Sequence, residues 1–228
     1  MKEENVRTEK LIGSDALARL SSSHVAVFGV GGVGGFAVEA LARAGVGELT
    51  LVDSDTVASS NINRQIIALH STVGRAKTEV MRERILDINP DCKVNIHTVF
   101  FSEETKGLFN FSDYDYVIDA IDSVSSKVEL IALATNAATP IISAMGAGNK
   151  LDPTAFLVSD ISKTTVCPLA RAVRLALRKR GINHLKCVYS KEEPKGEGER
   201  SAPGSISFVP SVMGLILAGE VILDLSKR

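Results

Sequence analysis

Cysteine is scarce in this chain of 228 residues: there are three, and none falls in a CxxC pair. That excludes a disulfide framework and speaks against a zinc site, and it suits a reducing cytoplasm. A dominant charge is also missing. With 26 Lys and Arg against 27 Asp and Glu, the formal net charge is -1, which excludes a uniformly basic nucleic-acid binder but leaves room for a local basic face. Residues Met1 to Lys10 are charged and hold no apolar run, so they do not read as a signal peptide. The four histidines, His24, His70, His97 and His184, form no cluster, and no internal repeat is present. The most apolar stretch, Ile206 to Leu225, carries Pro210, Glu220 and Asp224. It reads as a helix buried against a sheet or a partner subunit, with no membrane involved.

What is there is a large core. The composition is 45% hydrophobic and 23% charged, which suits one ordered domain with an elaborated C-terminal part. Val25 to Phe28 is a continuous apolar run, the mark of a strand buried on both faces of a parallel sheet. Further strands are expected at Leu49 to Val52, Val94 to Val99, Tyr116 to Ala120 and Ile141 to Ser143. Helices are expected at Asp15 to Leu20 (capped by Ser14), Gly35 to Ala44, Arg75 to Ile88 and Lys127 to Ala138. Beyond Asp152 the pattern weakens. Phe156 to Val158 and Lys186 to Tyr189 read as strands, and Pro168 to Lys179 as a helix with proline in its first turn. Between Lys191 and Gly204 there is almost no apolar residue, so 190–205 reads as a mobile loop. The whole is α/β, a doubly wound sheet in a single domain 1–228: an N-terminal arm 1–22, a nucleotide-binding core 23–150 and a C-terminal substrate or dimer part 151–228.

In such sheets the ligand lies at the carboxyl ends of the strands. The loop Gly29-Val30-Gly31-Gly32-Val33-Gly34 follows the first strand. It allows close approach of backbone to phosphate at a helix N-terminus. Asp53, ending the second strand, stands where an acidic residue binds ribose hydroxyls. These two features fit NAD and ATP equally. Arg64 and Lys77 separate them, because a triphosphate calls for cationic clamps that NAD does not. Asp122, after the fourth strand, has the hard oxygen ligands that magnesium prefers. Taken singly, Lys77 also reads as a solvated helix lysine and Asp122 as a helix cap.

Gly29 to Gly34, Asp53-Ser54-Asp55, Ser60-Asn61-Ile62-Asn63-Arg64-Gln65, Gly74 to Lys77 and Asp119-Ala120-Ile121-Asp122 together resemble the E1-like adenylating superfamily, over about residues 5–145. The resemblance implies a Rossmann-like adenylating domain and a homodimer. It implies that ATP and magnesium (Mg2+) are bound by Gly29, Gly31, Gly32, Gly34, Asp53, Asp55, Ser60, Asn61, Ile62, Asn63, Arg64, Gln65, Lys77, Asp122 and Ser123, with Asp122 on the metal. Arg64, Lys77 and Asp122 would carry the catalysis. Arg7 would join them by reaching into the partner subunit's site; it also reads as an exposed arginine on a charged tail.

The superfamily activates a carboxylate as an acyl-adenylate. Its sulfur-carrier activators usually hold zinc with two CxxC pairs, which this chain lacks. The chain instead resembles the tRNA threonylcarbamoyladenosine (t6A) dehydratase branch. The supporting motifs are Gly146-Ala147-Gly148, Asp152-Pro153-Thr154, Cys167-Pro168-Leu169-Ala170-Arg171 and the stretch Ser205 to Gly219. The implied substrate is tRNA bearing t6A at position 37. The second reading is adenylation of the C-terminal glycine of a ubiquitin-like carrier, with a sulfur-transfer or carrier protein as partner. Arg171, Arg174 and Arg178 share one helical face, either a solvated face or a phosphate-contacting surface for tRNA. Cys167, before a helix start, is open to a covalent or a structural role. Cys92 and Cys187 read as packed strand residues.

Overall fold

In the computed structural model, residues 3–195 and 203–227 are described. Seven strands form one sheet: β1 (His24–Phe28), β2 (Glu48–Val52), β3 (Lys93–His97), β4 (Tyr116–Asp119), β5 (Ile141–Ala144), β6 (Phe156–Asp160) and β7 (Lys186–Ser190). Their order is β3-β2-β1-β4-β5-β7-β6, parallel throughout except that β6 runs antiparallel to β7. The helices are α1 (Val6–Ile12), α2 (Ser14–Ser22), α3 (Gly34–Arg43), α4 (Lys77–Ile88), α5 (Val124–Asn136), α6 (Pro168–Arg178) and α7 (Phe208–Ser226). The expected strands and helices are all present, with ends moved by a few residues. Three corrections carry physical content. Ser14 does not cap α2 but is its first residue, with Gly13 in the cap position. α5 starts at Val124, one turn before the expected Lys127. Cys92 lies in the turn ahead of β3 rather than in a strand.

The central strands β1, β2 and β4 are apolar nearly throughout, because helices cover both sheet faces. β1 lies between β2 and β4, and the order of strands reverses there, so the crevice of the fold opens beyond Phe28 and Asp119. The strand ends are level: Phe28 pairs with Val52 on one side and with Asp119 on the other. The Gly29 N–H continues the ladder to the Val52 carbonyl at 2.8 Å, and the Ala120 N–H continues it to the Phe28 carbonyl at 2.8 Å.

α7 is long and apolar enough to cross a membrane, yet half of that stretch is buried inside the protein. Val209, Met213, Leu217, Val221 and Leu225 enter the main core beside Leu41 and Val27. Gly214 sits so close to α3 that a β-carbon there would overlap the Val33 carbonyl oxygen. Backbone contact of this kind fixes α7 against the start of α3, and Pro210 comes to rest over Gly32.

The expected mobile loop falls in part outside the described residues, at 196–202. Its described ends are held. Glu192 accepts backbone N–H bonds from Leu151 and Asp152. On the return, the Gly204 N–H donates to Asn149 Oδ1 at 2.6 Å, and the Ser205 carbonyl accepts from Asn63 Nδ2 at 3.0 Å.

Candidate functional site

The crevice is built from the ends of β1, β2 and β4. Gly29 leaves β1 with φ +91°, and a β-carbon there would stand 2.6 Å from the Ala120 carbonyl oxygen, so only glycine fits. Gly34 opens α3 against the Gly29 carbonyl with no space for a side chain. Asp53 shapes this loop directly: its Oδ2 accepts the Val30 N–H at 2.7 Å and its Oδ1 the Asp55 N–H at 2.9 Å. The carboxylate expected to meet ribose therefore also holds the glycine loop to the end of β2, a role the sequence reading did not include.

The Asn-Ile-Asn-Arg-Gln run begins at the last residue of a 3-10 turn, Ser59–Asn61. Asn61 Oδ1 accepts the Ala58 N–H at 3.0 Å and closes that turn. Arg64 Nη1 donates to the Ser60 carbonyl and to Asn63 Oδ1, each at 2.9 Å, while the Arg64 stem lies against Gly32. Gln65 is buried beside Gly31, and its Oε1 has no hydrogen-bond partner. An orphaned buried acceptor next to a glycine cradle fits a site that receives a hydrogen-bonding ligand.

Lys77 is the first residue of α4, and its side chain is only 6% exposed. It is not a solvated lysine: its Nζ is 2.7 Å from Asp55 Oδ2, on a carboxylate that is itself 64% exposed. Asp122 lies exposed in the turn between β4 and α5, and Ser123, not Asp122, takes the cap position of α5. No group of three or more His, Cys, Asp or Glu able to hold a metal occurs among the described residues. Asp122 is thus a single carboxylate, a donor set that suits a magnesium ion bound mainly through phosphates and water.

Two expectations do not gather here. Arg7 lies on α1, which packs by way of Asn5 near Gly45, at the amino end of β2 and away from this chain's own crevice. Arg174 is not free for phosphate: its Nη1 donates to the carbonyls of Ile161 at 3.2 Å and Thr164 at 3.0 Å and to Thr164 Oγ1 at 2.5 Å. Arg171 and Arg178 remain exposed on α6. Cys167 caps the start of α6 and is buried with its Sγ against Gly146, and burial pushes the Cys187 thiol up to about 12.

The sequence reading missed the floor of the crevice. Asp119 and Lys127 form an ion pair at 2.8 Å with both side chains fully buried. Lys127 Nζ also donates to Ser143 Oγ at 3.2 Å and to the Ala144 carbonyl at 2.9 Å. Ser143 Oγ donates to Asp119 Oδ2 at 2.5 Å, and Asp119 Oδ1 accepts the Ile121 N–H at 3.1 Å. The signal available was a polar residue in each of two apolar strands: Asp119, the last of β4, and Ser143, the last but one of β5.

Sequence and structure comparisons show the family. The ThiF family's sequence profile matches residues 3–228. A tRNA threonylcarbamoyladenosine dehydratase of Bacillus subtilis is 47% identical, over 97% of this chain and 94% of its own length. The enzyme of the same name from Escherichia coli is 42% identical over 84% of this chain and 75% of its own. A crystal structure of the E. coli enzyme in complex with ATP superposes with a TM-score of 0.91 at 38% identity, covering 97% of this chain and 93% of that one. The chain belongs to the ThiF family.

Proposed function

We propose that this chain is an ATP-dependent tRNA threonylcarbamoyladenosine dehydratase, converting t6A at position 37 of tRNA to its cyclic form. One observation carries the reading. Arg64 lies against Gly32 of the glycine loop, the buried Lys77 is paired with Asp55 next to the Asp53 that holds that loop, and Asp122 follows Ile121, whose N–H lies near Gly29, in a chain 47% identical to a t6A dehydratase over nearly its whole length. The threonyl carboxylate attacks the α-phosphorus of ATP, an acyl-adenylate forms and pyrophosphate leaves. A nitrogen of the same ureido group then attacks the acyl carbon, the ring closes and AMP departs, so the nucleoside loses one water overall.

The chain's own residues act by placement and charge. The glycine loop and the first turn of α3 offer free amides to phosphate. Arg64 and Lys77 oppose the charge that builds on the phosphate oxygens, and Asp55 releases Lys77 as phosphate takes its place. Gln65 Oε1 takes a donor from the bound nucleotide, and Asp53 shares its carboxylate between the loop and the ribose. Ser60, Asn61, Ile62 and Asn63 form the wall, and Ser123 lies beside Asp122. Asp122 would hold magnesium, which would supply charge neutralisation for the phosphates. Ring closure is intramolecular, so the buried Cys167 is structural. Arg7, distant from its own crevice, serves the site of a second copy in a homodimer. The lack of any CxxC pair speaks against activation of a carrier protein.

Incubation with ATP, magnesium and t6A-bearing tRNA, followed by mass analysis of the nucleosides, tests this. The expected result is t6A lighter by one water, abolished by Asp122→Ala and by Lys77→Ala. Unchanged nucleoside beside an active control enzyme, or pyrophosphate exchange driven by a carrier protein instead, refutes it.

A further inference from the structure

Beside the crevice lies a second feature that the adenylation chemistry does not use. The first two turns of α5 and the segment from Ala172 in α6 to Arg180 just after it border an open groove of about 430 Å³, within the range of about 300–1,000 Å³ usual for ligand pockets. Val124, Val128, Leu175 and Ala176 give it an aliphatic lining, and Lys179 and Arg180 stand among its walls. Leu175 is 50% exposed, a large apolar side chain presented to solvent in a concave place. The groove adjoins the turn that carries Asp122: Ser125, in its wall, has its hydroxyl 3.1 Å from that of Ser123.

Its charge is one-sided. From Pro168 to Arg180 the chain carries Arg171, Arg174, Arg178, Lys179 and Arg180 and no acidic residue, in a protein whose net charge is -1. Arg174 is spent on backbone carbonyls, and Arg180 is held by Glu129 at 2.6 Å, which fixes its guanidinium near the groove. Arg171, Arg178 and Lys179 are exposed. An aliphatic slot bordered by cations matches a single-stranded polyanion that carries flat apolar groups. The lining holds no aromatic platform, so a base here would be held between apolar side chains and beside a guanidinium plane rather than stacked on a ring, while neighbouring phosphates meet Lys and Arg.

We infer that this groove receives an unstacked nucleobase of the anticodon loop next to the modified adenosine, with Lys179 and Arg178 on the adjoining phosphates. The inference rests on the tRNA reading above and adds the place where the RNA is held. It explains how a crevice that binds a mononucleotide selects one nucleoside within a tRNA: a neighbouring base is anchored close to Asp122, and the reacting base is swung into the crevice.

The test uses the full chain, t6A-bearing tRNA and two surface variants, Leu175→Asp and Lys179→Glu. Binding is measured by fluorescence anisotropy without ATP, turnover with ATP and magnesium, and oligomeric state by light scattering. Leu175→Asp is expected to raise Kd and KM for tRNA about tenfold with kcat within twofold of the parent and ATP affinity unchanged. Lys179→Glu should weaken binding and lower the salt slope by about one. Parental Kd and KM in both variants, with the parent active, overturn the groove. So does a changed oligomeric state with unaltered tRNA affinity, which would make the groove a contact between copies. A parent that binds this RNA in a Leu175-dependent way but never cyclises it refutes the proposed reaction and leaves the groove standing.

Discussion

Replacing Lys77 by methionine separates a phosphate clamp from a structural ion pair. Methionine keeps most of the buried stem and removes only the ammonium. The partner carboxylate, Asp55, is 64% exposed and regains water when the lysine is gone. Exposed pairs contribute about 0–1 kcal/mol, and removing a buried cation recovers part of its desolvation cost. The variant should therefore stay within about 1 kcal/mol of the parent, a Tm change of about 2–4 °C for a chain of this size. The chemical step should suffer far more. A donor aimed at charge developing in the transition state contributes about 10²–10³ in kcat, or about 2.7–4 kcal/mol. Single-turnover formation of the cyclic nucleoside and thermal unfolding, measured on one preparation, give both numbers. Lys77→Arg should not restore the rate, since the side chain has only 6% of its surface free and a wider fork does not fit. Turnover within tenfold of the parent at unchanged Tm would refute the clamp, and a Tm loss well above 4 °C would make the pair structural.

Gly34→Ala should abolish nucleotide binding while costing about 1–3 kcal/mol or more, because the new methyl overlaps the Gly29 carbonyl and comes within 3.2 Å of Ala120; calorimetric ATP titration and denaturant unfolding check it. Glu39 is held below its ordinary 4.5: burial alone would raise it, but hydrogen bonds from Arg84 and Arg43 outweigh that. Its stabilising contribution is complete above about pH 4.5 and is lost as pH falls through the depressed folded value, so Glu39→Gln should be less stable than the parent at pH 7 and the difference should shrink progressively as acid is added below the ordinary carboxylate range in urea unfolding. Arg174→Ala should lose about 1.5–3 kcal/mol by orphaning the turn at 161–164, yet bind tRNA within twofold of the parent, whereas Arg178→Ala should keep its stability and bind tRNA more weakly in the same filter-binding and melting assays.

The parts of this protein legible in its sequence are those where local chemistry and tertiary role coincide. A continuous apolar run such as Val25 to Phe28 has one stable place, the middle of a covered sheet, and the glycine loop after it has one use for its conformational freedom. Asp53 was legible as a crevice residue because it ends such a run. Its bond to the Val30 N–H was not, since that depends on how β1 and β2 are registered. Arg174 misled for the same reason. Helical spacing places it with Arg171 and Arg178, but the carbonyls of Ile161 and Thr164 that engage it come from a turn whose position nothing in the helix specifies. The sequence pattern starts α5 at Lys127. With α5 beginning at Val124 it falls on the inner face of the first turn, and a long cationic side chain is directed into the sheet.

That buried lysine joins the fold to the chemistry. An ion pair out of contact with water is a poor source of stability, because desolvation of both charges offsets their attraction unless every remaining hydrogen-bonding position is filled. Around Asp119 and Lys127 they are filled: the ammonium donates to Asp119, Ser143 and the Ala144 carbonyl, and the carboxylate also accepts from Ser143 and the Ile121 N–H. An apolar pair of the same volume would leave the turn after β4 and the loop after β5 without a shared anchor. The network instead fixes the backbone at Ile121, and with it the adjoining Asp122, to the strand that leads into Gly146. Crevice loops are ordinarily the most mobile parts of a sheet of this kind. Here the two that border the proposed metal and substrate positions are tied to one buried charge, so the site is rigid where chemistry needs fixed distances. The proposed clamps, Arg64 on Ser60 and Lys77 on Asp55, rest on exposed partners that phosphate would displace.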